Sequence, residues 1–272
     1  MVRLRFLGTG AADYLAPKTC PCNNCTGIRK LGGRNYRRTS SVLLNKGTLI
    51  DCGPHTLEAL SDAGVRLDEI GSLFLTHSHD DHLDPSALSA LASASNRRTP
   101  LSVFGHETTL GWIPAGLKEK LRLVSVELEK PVQAGALLVE GLPANHFIEE
   151  NPKEIPLHYL FTEGSRQWFY GADGCWLLKP AWWRLRRAKL DLAVFDATMG
   201  KANYDYRIFE HNTLDMVKQM VGAFREAKIL KEDARIVLTH LSLHENPPHD
   251  LWAPEVAADG FVLAYDGLEI EL

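Results

Sequence analysis

The run His77-Ser78-His79-Asp80-Asp81-His82 places three imidazoles and two carboxylates in six residues. It directly follows the apolar stretch Leu73-Phe74-Leu75-Thr76. A strand end is rigid, and the loop after it can turn several side chains toward one point. His77 and His79 are two apart, so their rings can reach one ion. Asp81 and His82 are adjacent and can face a second. Imidazole with carboxylate suits zinc, manganese or iron. An ordinary polar loop with satisfied histidines is the competing reading, and the density of ligand-type residues disfavours it.

The rest of the chain sets the frame for that cluster. Its 272 residues are enough to bury a sizeable core without disulfides. A net charge of -4 disfavours a general electrostatic grip on nucleic acid. The alternating N-terminus Met1–Gly8 reads as a strand rather than a signal peptide, and there is no apolar run of membrane-spanning length. The expected location is the cytoplasm, where the cluster Cys20-Pro-Cys22-Asn-Asn-Cys25 suggests a metal rather than disulfides.

Patterning predicts strands at about 2–7, 40–45, 47–52, 72–76, 101–104 and 121–129. More are predicted at about 136–141, 157–163, 167–171, 190–195, 235–239 and 261–265. Helices are predicted over 55–64, 84–95, 107–119, 181–188, 211–229 and 250–258. Long β meanders with outer helices suggest an α/β four-layer αββα sandwich. No linker is apparent, so residues 1–272 read as a single domain. Ser72–His77 and Ile236–His240 echo one another as apolar strands ending in Thr-His.

With these features assembled, the chain resembles the metallo-β-lactamase fold family. The resemblance rests on His-x-His-x-Asp-His after a strand, with Phe6-Leu-Gly-Thr-Gly10 and Leu49-Ile-Asp-Cys-Gly53 as weaker landmarks. It implies further ligands in a set order. His146 in Asn145-His146 is the candidate after a later strand, with His158 and His106 competing. Asp173 in Gly171-Ala-Asp173 is the candidate bridging carboxylate, and His240 the last histidine. The resemblance then implies His77, His79 and His146 on one metal, Asp81, His82 and His240 on the other, and Asp173 on both. Asp80 is left to cap the loop or orient a neighbour. Such a pair of manganese or zinc ions lowers the pKa of water toward about 7 and supports attack by a bridging hydroxide, with Asp81 and His211 as the implied catalytic residues.

The cysteines narrow the resemblance to the cyclic ribose phosphate phosphodiesterases of the carbon–phosphorus lyase pathway. These share the cysteine spacing and a following Tyr-Arg-Arg, here Tyr36-Arg37-Arg38. The resemblance implies a structural zinc on Cys20, Cys22 and Cys25, in a knuckle inserted at about 17–38, with His244 as fourth ligand. His244 is one residue further from His240 than in those relatives, and Cys52 and His249 are the alternatives. His211 in Glu210-His-Asn-Thr213 would donate a proton to a leaving oxygen or hold a phosphate oxygen; alternatively it caps the following helix, as Asn212 or Thr213 could.

Two basic stretches allow two readings each. Arg29, Lys30, Arg34, Arg37 and Arg38 could grip a second phosphate or form a solvated face. Trp182-Trp183-Arg184 with Arg186 and Arg187 could stack on bases or pack as an amphipathic helix, inward or at a subunit interface.

The expected function is hydrolysis of a small or cyclic phosphate ester, with a homodimer implied by the resemblance. The alternatives are a nuclease similar to the tRNA 3′-end ribonucleases, a lactone or β-lactam hydrolase, and a non-catalytic protein like those of the same fold in pyrroloquinoline-quinone biosynthesis. The absence of a long Gly/Pro-rich arm argues against the nuclease, and the intact His77–His82 run against the last.

Overall fold

The computed structural model describes residues 1–202 and 205–272. The N-terminal half supplies β1 (Arg3–Gly8), β2 (Ser41–Leu44), β3 (Thr48–Ile50), β4 (Ser72–Phe74), β5 (Leu101–Gly105) and β6 (Leu121–Ser125). The second half supplies β7 (Val132–Ala134), β8 (Leu137–Pro143), β9 (Leu157–Glu163), β10 (Arg166–Gly171), β11 (Leu190–Asp196), β12 (Leu230–Thr239) and β13 (Val262–Leu263). The final strand, β14 (Glu269–Glu271), returns to pair with β1.

Two seven-stranded sheets result, ordered β14-β1-β2-β3-β4-β5-β6 and β13-β12-β11-β10-β9-β8-β7. Each begins antiparallel and turns parallel, from β3 to β6 in the first and from β10 to β13 in the second. The like connectivity accords with the echo between Ser72–His77 and Ile236–His240.

Side-chain alternation explains the layering. On β11, Leu192 and Val194 enter the core between the sheets, where they join Leu4, Phe74, Tyr159 and Trp168. Ala193 and Phe195 face the other way and pack under the outer helices. Those helices are α6 (Lys179–Leu185), α7 (Leu214–Glu226) and α8 (His249–Ala258), while α2 (Thr56–Asp62), α3 (Pro85–Ala92) and α4 (Glu107–Trp112) cover the first sheet. The expected αββα sandwich is therefore present.

Several boundaries differ from expectation. Residues 107–119 break into α4 and α5 (Ala115–Lys118), because Pro114 drives Ile113 into extended backbone. The helix expected from 211 starts at Leu214, with Thr213 as its cap accepting the Met216 N–H, so His211 is not the cap. β6 ends at Ser125 rather than 129, and β12 starts earlier, at Leu230, carrying Lys231, Glu232 and Asp233 on its exposed end. β7 and β14, each three residues long at a hairpin or edge, and helix α1 (Asn23–Leu31) were not expected.

Candidate metal centre

The histidine-rich segments all leave strand ends at one edge of the sandwich. His77–His82 follow β4 in the first sheet, while His146 follows β8, Asp173 follows β10 and His240 follows β12 in the second. The backbone between His79 and Leu83 makes a tight turn, with the His82 and Leu83 N–H groups both donating to the His79 carbonyl. Cys52 N–H donates to His82 O at 2.7 Å and fixes that turn against the end of β3. Gly53 is required there, since a Cβ would lie 2.0 Å from the Asp81 carbonyl oxygen. Asp173 (φ 59°) and His240 (φ 55°) both occupy left-handed backbone, which is uncommon for residues other than glycine.

These segments bring two sets of ligand atoms together. In the first, His79 Nδ1 lies 3.1 Å from His77 Nε2 and 3.1 Å from His146 Nε2. Asp173 Oδ2 lies 3.2 Å from His77 Nε2. In the second, His82 Nε2 and His240 Nε2 are 3.1 Å apart, and Asp81 Oδ2 is 3.4 Å from each. Asp173 Oδ2 also belongs here, at 3.3 Å from His82 and 3.5 Å from His240. Ligands about 2.0–2.1 Å from a tetrahedral ion lie about 3.3 Å from one another, so both sets have the spacing that an ion would impose.

The outer nitrogens of His77, His82 and His240 are held as well. Thr76 hydroxyl donates to Asp51 and accepts from His77 Nδ1 at 2.9 Å. His82 Nδ1 donates to Asp51 Oδ2 at 2.8 Å, and His240 Nδ1 to Thr198 Oγ1 at 2.8 Å. These bonds turn the Nε2 atoms inward, the usual arrangement of metal-ligating imidazoles. Asp81 Oδ2 is buried without a hydrogen-bond partner among the described residues, and buried Asp173 Oδ1 has the His211 ring nitrogen beside it at 3.0 Å. Buried acceptors of this kind call for a cation or a proton.

The titration of the groups carries the same message. Burial opposes charge on Asp173, but His146, His240 and His211 outweigh it and hold the acid well below the usual carboxylate range. Burial likewise opposes charge on His82, but Asp81 and Asp51 hold the ring well above the usual imidazole range. His240 is raised to about 9, against burial, chiefly by Asp173. Burial keeps His146 down at about 4 and His77 well below its ordinary value. The carboxylates thus draw positive charge into the centre, and divalent ions would replace protons there.

His211 stands beside both sets. Its Nδ1 lies 3.0 Å from Asp173 Oδ1 and 3.0 Å from Asp196 Oδ2. Burial disfavours its charged form, but these two carboxylates hold it well above the ordinary value. The ring lines a cleft of about 230 Å³ with His79, His146, Asp13, Arg207 and Glu210.

The competing histidines are placed elsewhere. His106 caps α4, and His158 is buried in β9 beneath Gly174, kept near 4 by burial. Asp80 is exposed and makes no side-chain hydrogen bond among the described residues; the orienting roles fall to Asp51 and Thr198. Neither of those was picked out in the sequence, although Asp51 lies within the Leu49–Gly53 landmark and only its position in space gives it a role.

A second cluster lies nearby. His244 Nδ1 is 3.6 Å from Cys20 Sγ, 3.8 Å from Cys22 Sγ and 3.7 Å from Cys25 Sγ. A tetrahedral zinc at about 2.3 Å from sulfur and about 2.0–2.1 Å from nitrogen would separate them by about 3.6 Å. The cysteines sit on a loop only in part: Cys22 caps α1 by accepting the Cys25 N–H, and Cys25 lies in its first turn. Against burial, that N–H and His244 bring Cys22 down to about 6, whereas burial and the neighbouring thiols push Cys25 up to about 12. Cys52 and His249 do not join the group.

The basic run beside the cysteines is tied up structurally. Arg29 donates to the Pro17 and Cys20 carbonyls, Arg34 pairs with Asp250, Arg38 pairs with Glu58 and Asp62, and Arg37 is buried on Thr9 and the Ala264 carbonyl. Among the described residues none of them lines the cleft, where Arg207 is the one arginine. On α6, Trp182 packs toward Phe224, Arg184 pairs with Glu140 and Trp183 is half exposed.

Comparison with known proteins agrees with this geometry. A family model described as the beta-lactamase superfamily domain matches residues 48–241. A ribonuclease Z from Methanosarcina mazei is 30% identical over 159 residues, covering 54% of this chain and 45% of that protein. The chain thus spans less than half the length of that relative. A crystal structure of a diphosphatase from the PhnP family superposes with a TM-score of 0.75 at 21% identity, covering 100% of this chain and 97% of that one. Zinc-bound PqqB from Methylobacterium extorquens also gives 0.75, at 16% identity, covering 99% and 100%.

Proposed function

The chain belongs to the beta-lactamase superfamily, and on that premise we propose that it is a metal-dependent hydrolase of small or cyclic phosphodiesters. The observation that carries this reading is the position of Asp173 Oδ2, within 3.2–3.5 Å of the Nε2 atoms of His77, His82 and His240. One carboxylate oxygen shared by two ligand sets is the arrangement of a two-ion centre. We assign His77, His79, His146 and Asp173 to one ion, and Asp81, His82, His240 and Asp173 to the other, with manganese or zinc as the metal. The spacing of Cys20, Cys22, Cys25 and His244 supports a separate structural zinc.

When bound, the two ions supply a water of lowered pKa and Lewis-acid contacts to phosphoryl oxygens. The protein's own groups do the rest. Asp51 and Thr198 hold His82 and His240 in the tautomer that presents Nε2 inward. His211, its Nδ1 engaged by Asp173 and Asp196, offers its other nitrogen to the cleft, where it can hold a phosphoryl oxygen or give a proton to the departing one. Asp81 acts as a ligand, and its catalytic importance follows from that position. The cleft is small, which suits a small ester.

Turnover of bis(p-nitrophenyl) phosphate with added manganese or zinc tests the reading. Metal-dependent release of p-nitrophenol that disappears in His79→Ala is expected, and no release under any metal would remove the assignment. A second reading, cleavage of precursor tRNA at its 3′ end, is favoured by the identity to ribonuclease Z. Accurate removal of a 3′ trailer, with poor turnover of small diesters, would favour it. We also take residues 1–272 as one catalytic domain with the cysteine site inserted at 17–38, acting as a cytoplasmic homodimer; light scattering checks the dimer. Among the described residues no helix is long and apolar enough to cross a membrane.

A further inference from the structure

His79 and His146 differ from the other candidate histidine ligands in what holds them. The rings of His77, His82 and His240 each have an outer hydrogen bond, to Thr76, Asp51 and Thr198. His79 turns Nδ1 toward its set, and its Nε2 makes no hydrogen bond among the described residues. His146 Nδ1 is buried and has no hydrogen-bond partner among them either. The aim of these two rings therefore depends on the backbone that carries them. That backbone comes from two places, the turn after β4 and the loop between β8 and β9.

One side chain joins the two. Glu154 lies near the far end of the β8–β9 loop, beyond His146. Its Oε2 accepts the Ser78 hydroxyl at 2.5 Å, and Ser78 stands between His77 and His79. The same oxygen accepts Asn151 Nδ2 at 3.0 Å from within the loop, and Oε1 accepts the Thr109 hydroxyl of α4 at 2.7 Å. Glu154, Ser78 and Thr109 are all buried. Backbone bonds stitch the base of the loop, with Ala144 N–H donating to Pro156 O at 2.9 Å and Leu157 N–H to Thr76 O at 2.8 Å. The carboxylate thus reaches from a loop of the second sheet to the ligand turn of the first.

A buried carboxylate whose three donors are all neutral is a costly way to fill space, and an apolar side chain would pack there more cheaply. What it supplies is direction, because hydrogen bonds fix both distance and angle. Glu154 is not one of the described residues that line the cleft, so it acts through the ligands and not on a substrate. The second half of the turn has anchors of its own: Asp51 holds the His82 ring, and Cys52 N–H holds the His82 carbonyl.

We infer that Glu154 is a positioning residue for one ion of the pair: through Ser78 it fixes the backbone of His77 and His79 against that of His146. It thereby sets the affinity of the His77, His79 and His146 set, while the Asp81, His82 and His240 set is aimed independently by Asp51 and Thr198. The inference rests on the two-ion reading and adds a residue outside both ligand sets.

The test counts ions and does not depend on turnover. Manganese(II) is titrated into the full-length protein after dialysis against a chelator, and the unbound ion is read by its electron paramagnetic resonance signal. Manganese prefers harder ligands to thiolate, which keeps the cysteine cluster out of the count. The parent should show two binding events. Glu154→Ala should weaken one of them about 10-fold, the low end for an outer partner of a metal ligand, and leave the other within about twofold. His79→Ala identifies the weakened event by abolishing it, and adding Glu154→Ala to that variant should leave the residual ion bound as before. Ser78→Ala, a smaller change that guards against loss of fold, should reproduce the effect of Glu154→Ala. Glu154→Gln should keep parent affinity, since its amide oxygen still accepts from Ser78 and Asn151 and the Thr109 hydroxyl can accept from its amide nitrogen. Equal weakening of both events, or parent-like affinity in Glu154→Ala and Ser78→Ala, overturns the inference and leaves the two-ion centre standing. If the parent takes up neither manganese nor more than one zinc per chain, the two-ion reading falls and takes this one with it.

Discussion

Asp51 Oδ2 receives a hydrogen bond from His82 Nδ1 at 2.8 Å, and Asp51 makes it from left-handed backbone, φ 60°. Its other oxygen accepts the Thr76 backbone N–H at 2.8 Å, so the carboxylate joins β3 to the end of β4 and aims His82 at the same time. Asp51→Asn keeps the shape and removes the charge. We expect metal affinity to fall about 10- to 100-fold, the usual cost of losing such an outer partner. Titration calorimetry on the metal-free protein measures this, and a parent-like affinity would remove the orienting role.

His211 touches Asp173 and Asp196 but completes neither tetrahedral set. His211→Ala should therefore keep both ions and lower kcat by about 10²- to 10⁴-fold, the range for a lost proton donor or acceptor. Metal content by plasma mass spectrometry, read beside kcat, separates this from ligand loss. A variant that turns over as fast as the parent would make His211 merely structural.

Cys22 contributes both a sulfur to the second cluster and the cap of α1. Cys22→Ser should lose one ion per chain and lower the melting temperature, by about 2–4 °C for each kcal/mol lost in a chain of this size or somewhat smaller. Turnover at low temperature should change less than stability. Equal melting temperatures for variant and parent would contradict a structural zinc.

Asp266 belongs to neither candidate ligand cluster and is raised to about 6 by burial, against the pull of the Arg38 N–H, Thr9 and Arg37. The native state therefore keeps a proton that the unfolded chain, with an ordinary value of about 3.9, has released. Its contribution to stability is present below about pH 4, declines as pH rises to about 6, and stays lost above that. At about 1.4 kcal/mol per pH unit, the decline amounts to at most about 3 kcal/mol. Asp266→Asn removes the titration, so parent stability minus variant stability should fall between pH 4 and 6.5 in urea melts. A flat difference would show that Asp266 titrates normally.

How far the sequence could be read depended on whether partners were neighbours in the chain. His77–His82 were legible because five ligand-type residues stand together after an apolar strand. His146, Asp173 and His240 were reached through the family resemblance, since each alone looks like any polar residue. Asp51 and Thr198 escaped notice because their roles exist only across strands, in contacts with His82 and His240. Helix α1 escaped because Asn23-Asn-Cys-Thr-Gly lacks an apolar period; it is held by the Cys22 cap and by Cys25 and Ile28 facing inward. The break at Pro114 was legible, and the proline should have ended the helix expected over 107–119.

The candidate ligands are divided between the layers: four come from the loop after β4 in one sheet, and three from strand ends in the other. The cations they would hold would act as a clasp between the halves. Expressed separately, each half would carry an incomplete set, and ions would drive the two to recombine. Sliding one sheet over the other by a single ångström would spoil the chemistry long before it cost the protein its core.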